Sequence, residues 1–184
     1  MNPLALVFLV ILVALAVLVL WRKWNGRIVR GLSRVDRAWE DLDRAVSERV
    51  AALQSMHEAL ENAGYVPEGR PRLLQTVTAL QEADGPRARA AADLDVEAVL
   101  HAIYRGLPRE RLESIRTAQN RLAQADEERD IARTQYNDLS LSLALLVRRF
   151  PYRSIARRRG LVPPEPFLLP GEEADYVRRH LGRA

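Results

Sequence analysis

The sequence predicts an all-α fold in which an N-terminal transmembrane helix continues into an antiparallel four-helix bundle. The first and last helices of that bundle are long and the two middle ones short. Three observations lead there. An uncharged apolar run occupies Leu4 to Trp21. Two long stretches then repeat apolar residues at steps of three and four. Glycine and proline are confined to a few breaks between them.

Composition agrees with helices. The chain has 184 residues, with 28 basic against 24 acidic side chains and a formal net charge of +4. Alanine, leucine, arginine and glutamate dominate, as in long helices. There is no cysteine, which excludes disulfides, thiolate metal sites and cysteine nucleophiles.

The apolar run reads LALVFLVILVALAVLVLW and is roughly 27 Å long as a helix, close to the hydrocarbon thickness of a bilayer. A cleaved signal peptide needs a basic leading region, a shorter apolar core and a small-x-small cleavage site, and the segment has none of these. Residues 1–21 are therefore expected to be a membrane anchor. Trp21 and Trp24 suit the headgroup layer. Arg22, Lys23, Arg27, Arg30 and Arg34 all follow the span. By the positive-inside rule the N-terminus lies outside and the rest of the chain is cytoplasmic.

Residues 22–150 form the expected bundle. In its first helix, 22–63, apolar residues fall at Ile28, Leu32, Val35, Trp39, Leu42 and Val46, then at Val50, Leu53, Met56 and Leu60. Alternating steps of four and three give a narrow core-facing seam, whose strict pattern is lost near Arg49. Breaks at AGYVPEGRP, DGP and RGLP each end in or contain a proline that opens the following segment. They delimit short helices at 71–83, burying Leu73, Leu74, Val77 and Leu80, and at 86–104, burying Leu94, Val99, Leu100 and Ile103. The last helix, 108–150, repeats Ile115, Leu122, Arg129, Tyr136, Leu143 and Phe150 every seven residues. Ala118, Ala125, Ala132, Leu139 and Leu146 form its companion row. Pro151 ends it.

Four helices joined by hairpins return the last one to the membrane, and the two long ones match at roughly 63 Å each. That brings Phe150 level with Arg22. In this register Arg129, at an apolar seam position, faces Asp43. Two readings stand: a salt bridge from Arg129 to Asp43 or Glu40, or an arginine that snorkels out of a narrow seam.

Residues 151–184 comprise a basic interfacial segment, a proline-rich tail and a short terminal helix. Between Arg148 and Gly160 lie Arg148, Arg149, Arg153, Arg157, Arg158 and Arg159, with Phe150 and Tyr152 among them. Alone, such a segment suggests nucleic acid. Placed beneath the bilayer, it reads instead as the second half of a basic collar, its arginines on anionic headgroups and Tyr152, Ile155 and Leu161 dipping into the interface. The tail LVPPEPFLLP is extended by its prolines and either docks on the bundle or engages a partner.

Four short motifs occur in order: Val35, Asp36, Ala38 and Trp39 early in the first long helix; Ala132, Arg133, Tyr136 and Asn137 in the last; then Phe150 and Pro151; then Ile155, Ala156 and Arg157. In these motifs, and in the span that precedes them, the chain resembles the LemA family. It departs from that pattern at Gln54, where relatives commonly carry proline, and at Arg159 to Leu161, where they carry an aromatic-glycine-aromatic ending. The resemblance implies an antiparallel four-helix bundle on a membrane anchor, and it implies no particular activity.

Chemistry is sparsely signalled. His57, His101 and His180 fall on separate predicted helices without metal-binding spacing. Glu40, Asp43, Asp126 and Glu127 are the carboxylates a metal-bridged bundle would use, but the Glu-x-x-His pairs of such sites are missing and arginines intervene. There is no phosphate-binding loop, nucleophile elbow or dinucleotide fingerprint. No catalytic residue, cofactor, metal or small-molecule substrate is expected. The expected role is a membrane-anchored helical scaffold whose partners are the bilayer, another protein or a second copy of itself. Binding of anionic lipid by 148–159 is the alternative, and nucleic acid ranks behind it.

Overall fold

A computed structural model describes residues 3–64, 70–108, 112–172 and Tyr176. Among them there are five α-helices and no strand: α1 Pro3–Asn62, α2 Arg70–Glu82, α3 Gly85–Gly106, α4 Leu112–Arg148 and α5 Tyr152–Arg159. Most of the stretch predicted to hold the terminal helix lies outside the described residues, as do His180 and residues 109–111 of the last predicted long helix. Helix α1 is long and apolar enough in its N-terminal part to cross a membrane, and its apolar window packs against no other part of the chain.

The chain divides into two compact units, 1–37 with 139–164 and 38–138 with 165–184. Helices α1 and α4 contribute to both. In the first unit, Ile28 of α1 is buried with Tyr152 and Ile155 of α5, and Trp24, Leu32, Leu146 and Leu161 close around them. Gly31 permits close approach of α4, because a Cβ there would meet Leu143 Cδ1 at 3.0 Å. Helix α5 was expected only as a basic segment. It ends at Gly160, whose φ of 62° suits a residue without Cβ. Backbone bonds from Gly160 N to Arg157 O (3.2 Å) and from Leu161 N to Ala156 O (3.1 Å) satisfy the last carbonyls, as in a Schellman ending.

In the second unit the predicted α1 seam is buried at Leu42, Val46, Val50, Leu53, Met56 and Leu60. The α4 seam is buried at Ile115, Leu122, Arg129 and Tyr136. Trp39 meets Tyr136 (ring centroids 5.3 Å apart), and Arg121 donates to Ser55 at 3.0 Å. Those pairs run in opposite chain directions, so the two helices are antiparallel here. Their register is offset by about one helical turn from the expected one.

Helices α2 and α3 pack together. Leu73, Val77 and Leu80 of α2 are buried as expected, but Leu74 is 43% exposed. In α3 the buried face is Ala90, Asp93, Val96, Leu100 and Ile103 rather than one that includes Leu94. Reading apolar residues as core favours Leu94 over Asp93, because an unpaired buried carboxylate is costly. The partners that remove this cost come from other helices.

Phe150 also departs from its predicted seam and is 85% exposed. Helix α4 ends at Arg148, so the chain has already turned at Phe150 and the seven-residue phase no longer applies.

Candidate functional site

Two constellations stand out, one in each unit. In the second unit, Arg49 sits where the α1 seam loses its pattern, and its side chain is fully buried. Each guanidinium nitrogen finds a carboxylate. Nε donates to Asp126 Oδ1 at 2.5 Å, one terminal nitrogen donates to Asp93 and the other to Glu97. Arg129 grips the second oxygen of Asp93 and lies 3.5 Å from Glu97 Oε1. Its Nε is 3.4 Å from Asp130 Oδ1, an ion pair without hydrogen-bond alignment. Asp93, also fully buried, thus bridges two arginines from α1 and α4 with one oxygen each.

Burial alone lowers the Arg49 guanidinium, but the combined fields of Asp93, Asp126 and Glu97 outweigh it and hold the group above its ordinary value. The Tyr104 hydroxyl is pushed up, first by burial and then by Asp126 and Glu97. An arginine held so firmly charged is not a proton donor near neutrality, and the cluster holds no nucleophile. Its chemistry is that of a structural ion cluster. Among the described residues no group of His, Asp and Glu converges as a metal site.

The expected Arg129–Asp43 pair does not form. Asp43 instead accepts from Arg89 of α3, whose guanidinium lies 5.2 Å from the Trp39 ring centroid. The physical reason is register. An offset of about one turn carries Asp43 past Arg129, and a helix that the two-helix register ignored supplies both partners. Glu40 is exposed.

The motif residues Arg133, Tyr136 and Asn137 act on the tail. Asn137 accepts from Phe167 N at 2.8 Å and donates to Phe167 O at 3.0 Å, which is a two-point grip on the backbone of one residue. Arg133 Nε donates to the same carbonyl at 3.2 Å and its other end pairs with Glu172. Tyr136 donates to Glu165 O at 2.7 Å. Phe167 is fully buried. The tail therefore docks, which answers the alternative left open by its sequence. Of the other motif residues, Val35 is buried, Asp36 exposed and Pro151 half-buried.

No protein-family model matches the chain, and no curated protein matches it.

The first unit carries the basic constellation. Its sequence holds twelve arginines and lysines against a single carboxylate, Asp36, a formal charge of +11; the rest of the chain carries −7, which together make the +4 of the whole. Trp21, Arg22, Lys23, Arg148, Arg149, Arg153, Arg157, Arg158 and Arg159 are exposed. Trp24, expected only at headgroups, packs into the core around Ile28. Tyr152 and Ile155, expected to dip into a bilayer, are buried in that same core. Helix α5 needs an apolar face to dock on α1 and α4, and these residues supply it. Tyr152 is also fixed through its hydroxyl, which accepts from Arg27 at 2.9 Å.

Arg27, Arg30 and Arg34 line one side of a groove of about 310 Å³ between α1 and α4. Ser142, Leu143 and Leu146 line the other. Sequence reading counted these arginines toward membrane orientation and missed the groove, because its far wall comes from a helix more than a hundred residues away.

Proposed function

We propose that this chain is a LemA-like, single-span membrane protein that works as a helical interaction scaffold on the cytoplasmic side. In this reading α1 to α4 form an antiparallel four-helix arrangement, with the N-terminus outside. The observation that carries it is the pattern along α1. One uninterrupted helix holds an apolar window of spanning length, then a basic stretch, then the seam that is buried against α4. Charge supports the orientation, since basic residues gather in the unit that follows the span. The buried ion cluster supports a structural role over a catalytic one. No cofactor, metal or small-molecule substrate enters this reading.

The test is crosslinking in native membranes followed by mass spectrometry. Lys23 is the only lysine, so a carboxylate-directed reagent is required. A recurring heterologous partner joined to carboxylates of residues 38–138 is the expected result. Crosslinks to further copies of the chain alone would replace the scaffold with a homo-oligomer.

A second reading is favoured by the charge of the first unit, namely contact of 148–159 with anionic headgroups. With Tyr152 and Ile155 buried, this contact is electrostatic and weakens with salt. For the same arginines, nothing in the chain favours nucleic acid over a lipid surface.

A further inference from the structure

We infer that the groove between α1 and α4 in the first unit is a binding site for a phosphate group, gripped by Arg27, Arg30 and Arg34. The three arginines recur at helical spacing, so they stand one above another on one face of α1, neighbours about 5–6 Å apart at Cβ. Like charges so placed repel and destabilise a helix unless an anion lies between them. Among the described residues no carboxylate pairs with any of the three, and Asp36 is the only carboxylate in the unit's sequence.

Arginine forks match phosphate oxygens and bind them with charge-assisted hydrogen bonds. Arg27 is already oriented by its bond to the Tyr152 hydroxyl, and its remaining N–H groups stay available. Ser142, exposed on α4, offers a hydroxyl from the opposite wall. Leu143 and Leu146 make an apolar floor, so the site suits a phosphate attached to an apolar or glycerol-like body better than a bare polyanion. The volume, about 310 Å³, falls at the lower end of the range for small-molecule pockets. Along α1 the arginines begin roughly 9 Å beyond Trp21, which makes a phospholipid headgroup the nearest source. Only the choice of lipid as source rests on the membrane-anchored reading. Phosphate recognition rests on the groove.

The experiment uses the full chain in micelles of a neutral detergent. Its thermal midpoint is followed by circular dichroism while phosphatidylglycerol, phosphatidylcholine or inorganic phosphate is added. A ligand that binds the folded state alone raises the midpoint in a saturable way. The expected result is such a rise with phosphatidylglycerol or inorganic phosphate and none with phosphatidylcholine, whose choline cation is repelled by the three arginines and balances its phosphate. In the Arg30→Gln/Arg34→Gln variant the half-saturating concentration increases at least about tenfold. Ser142→Ala gives a smaller increase in the same direction. Arg44→Gln/Arg116→Gln, at exposed positions of the second unit, leaves it unchanged. All five side chains are exposed, so helix content serves as the folding control. A rise confined to phosphatidylglycerol identifies a headgroup as the source, and an equal rise with inorganic phosphate identifies a soluble phosphate compound; either supports the site. Absence of any rise, or a rise that survives unchanged in Arg30→Gln/Arg34→Gln, overturns it. Because micelles impose no sidedness, an error in the proposed membrane orientation leaves this result standing.

Discussion

Asp93 shows how a single carboxylate organises its surroundings. It is fully buried and splits its two oxygens between Arg49 and Arg129, so neither arginine is buried without a counter-charge. A buried pair of this kind adds little net stability against an apolar replacement, but removing one partner leaves charge stranded. Asp93→Ala is therefore expected to destabilise the chain by about 3 kcal/mol, read by urea unfolding in detergent micelles. Glu97 and Asp126 soften the loss only in part, because both are partly exposed and already engaged. Replacing all three groups together (Arg49→Met, Arg129→Met and Asp93→Leu) is expected to recover most of that loss. If the triple variant is less stable than Asp93→Ala, the cluster contributes net stability and this account fails.

At the level of elements, the tail and α5 show two ways of securing a segment after a long helix has ended. Helix α5 uses an apolar face, with Tyr152, Ile155 and Ala156 buried and the arginines outward. The tail has no helix to satisfy its backbone, so α4 side chains do this, with Asn137 bonding both polar groups of Phe167 while its ring is buried. Phe167→Ala removes a large buried side chain and is expected to weaken docking by about 3 kcal/mol. That corresponds to roughly a hundredfold increase in the undocked fraction. Cleavage after Glu172, which Arg133 holds in the docked tail, by a glutamate-specific protease reads this fraction when reclosing is fast. Asn137→Ala should accelerate the same cut by a smaller factor. Unchanged cleavage in Phe167→Ala would mean that the tail is held by something other than this pocket. The helices should keep their circular dichroism signal in both variants, since the ion cluster does not involve the tail and the seams meet it only through Tyr136.

For the molecule as a whole, the distribution of charge matters more than the modest net value. A total of +4 conceals +11 in one unit and −7 in the other. A protein segregated in this way presents a strongly basic surface to anions and a net acidic one to other partners. The chain has no cysteine, so orientation can be tested with single introduced ones. Ser47→Cys and Ser154→Cys are both at exposed positions. In intact cells a membrane-impermeant maleimide is expected to label neither, and to label both after lysis. Labelling of either from outside would reverse the proposed topology.

The helices were legible in the sequence because periodicity is local. A seam at three and four steps, a proline at a helix start and an uncharged apolar run report on one segment at a time. From them follow the all-helical class, the two long seams, the middle helices and a segment of spanning length. Arg49 and Arg129 were also visible as anomalies, since each interrupts an otherwise apolar row. Their partners were not visible. An offset of about one helical turn decides whether Arg129 meets Asp43 or passes it, and no local pattern encodes that offset. Asp93 was hidden for a related reason: its burial is tolerable only because two arginines from other helices neutralise it. The grip on Phe167 and the arginine groove likewise depend on side chains brought together from distant stretches. Sequence by itself determined the apolar seams of the two long helices and the breaks that separate the first four helices. Only tertiary structure decided which charges share a partner, because pairing depends on a register set by every packed side chain at once.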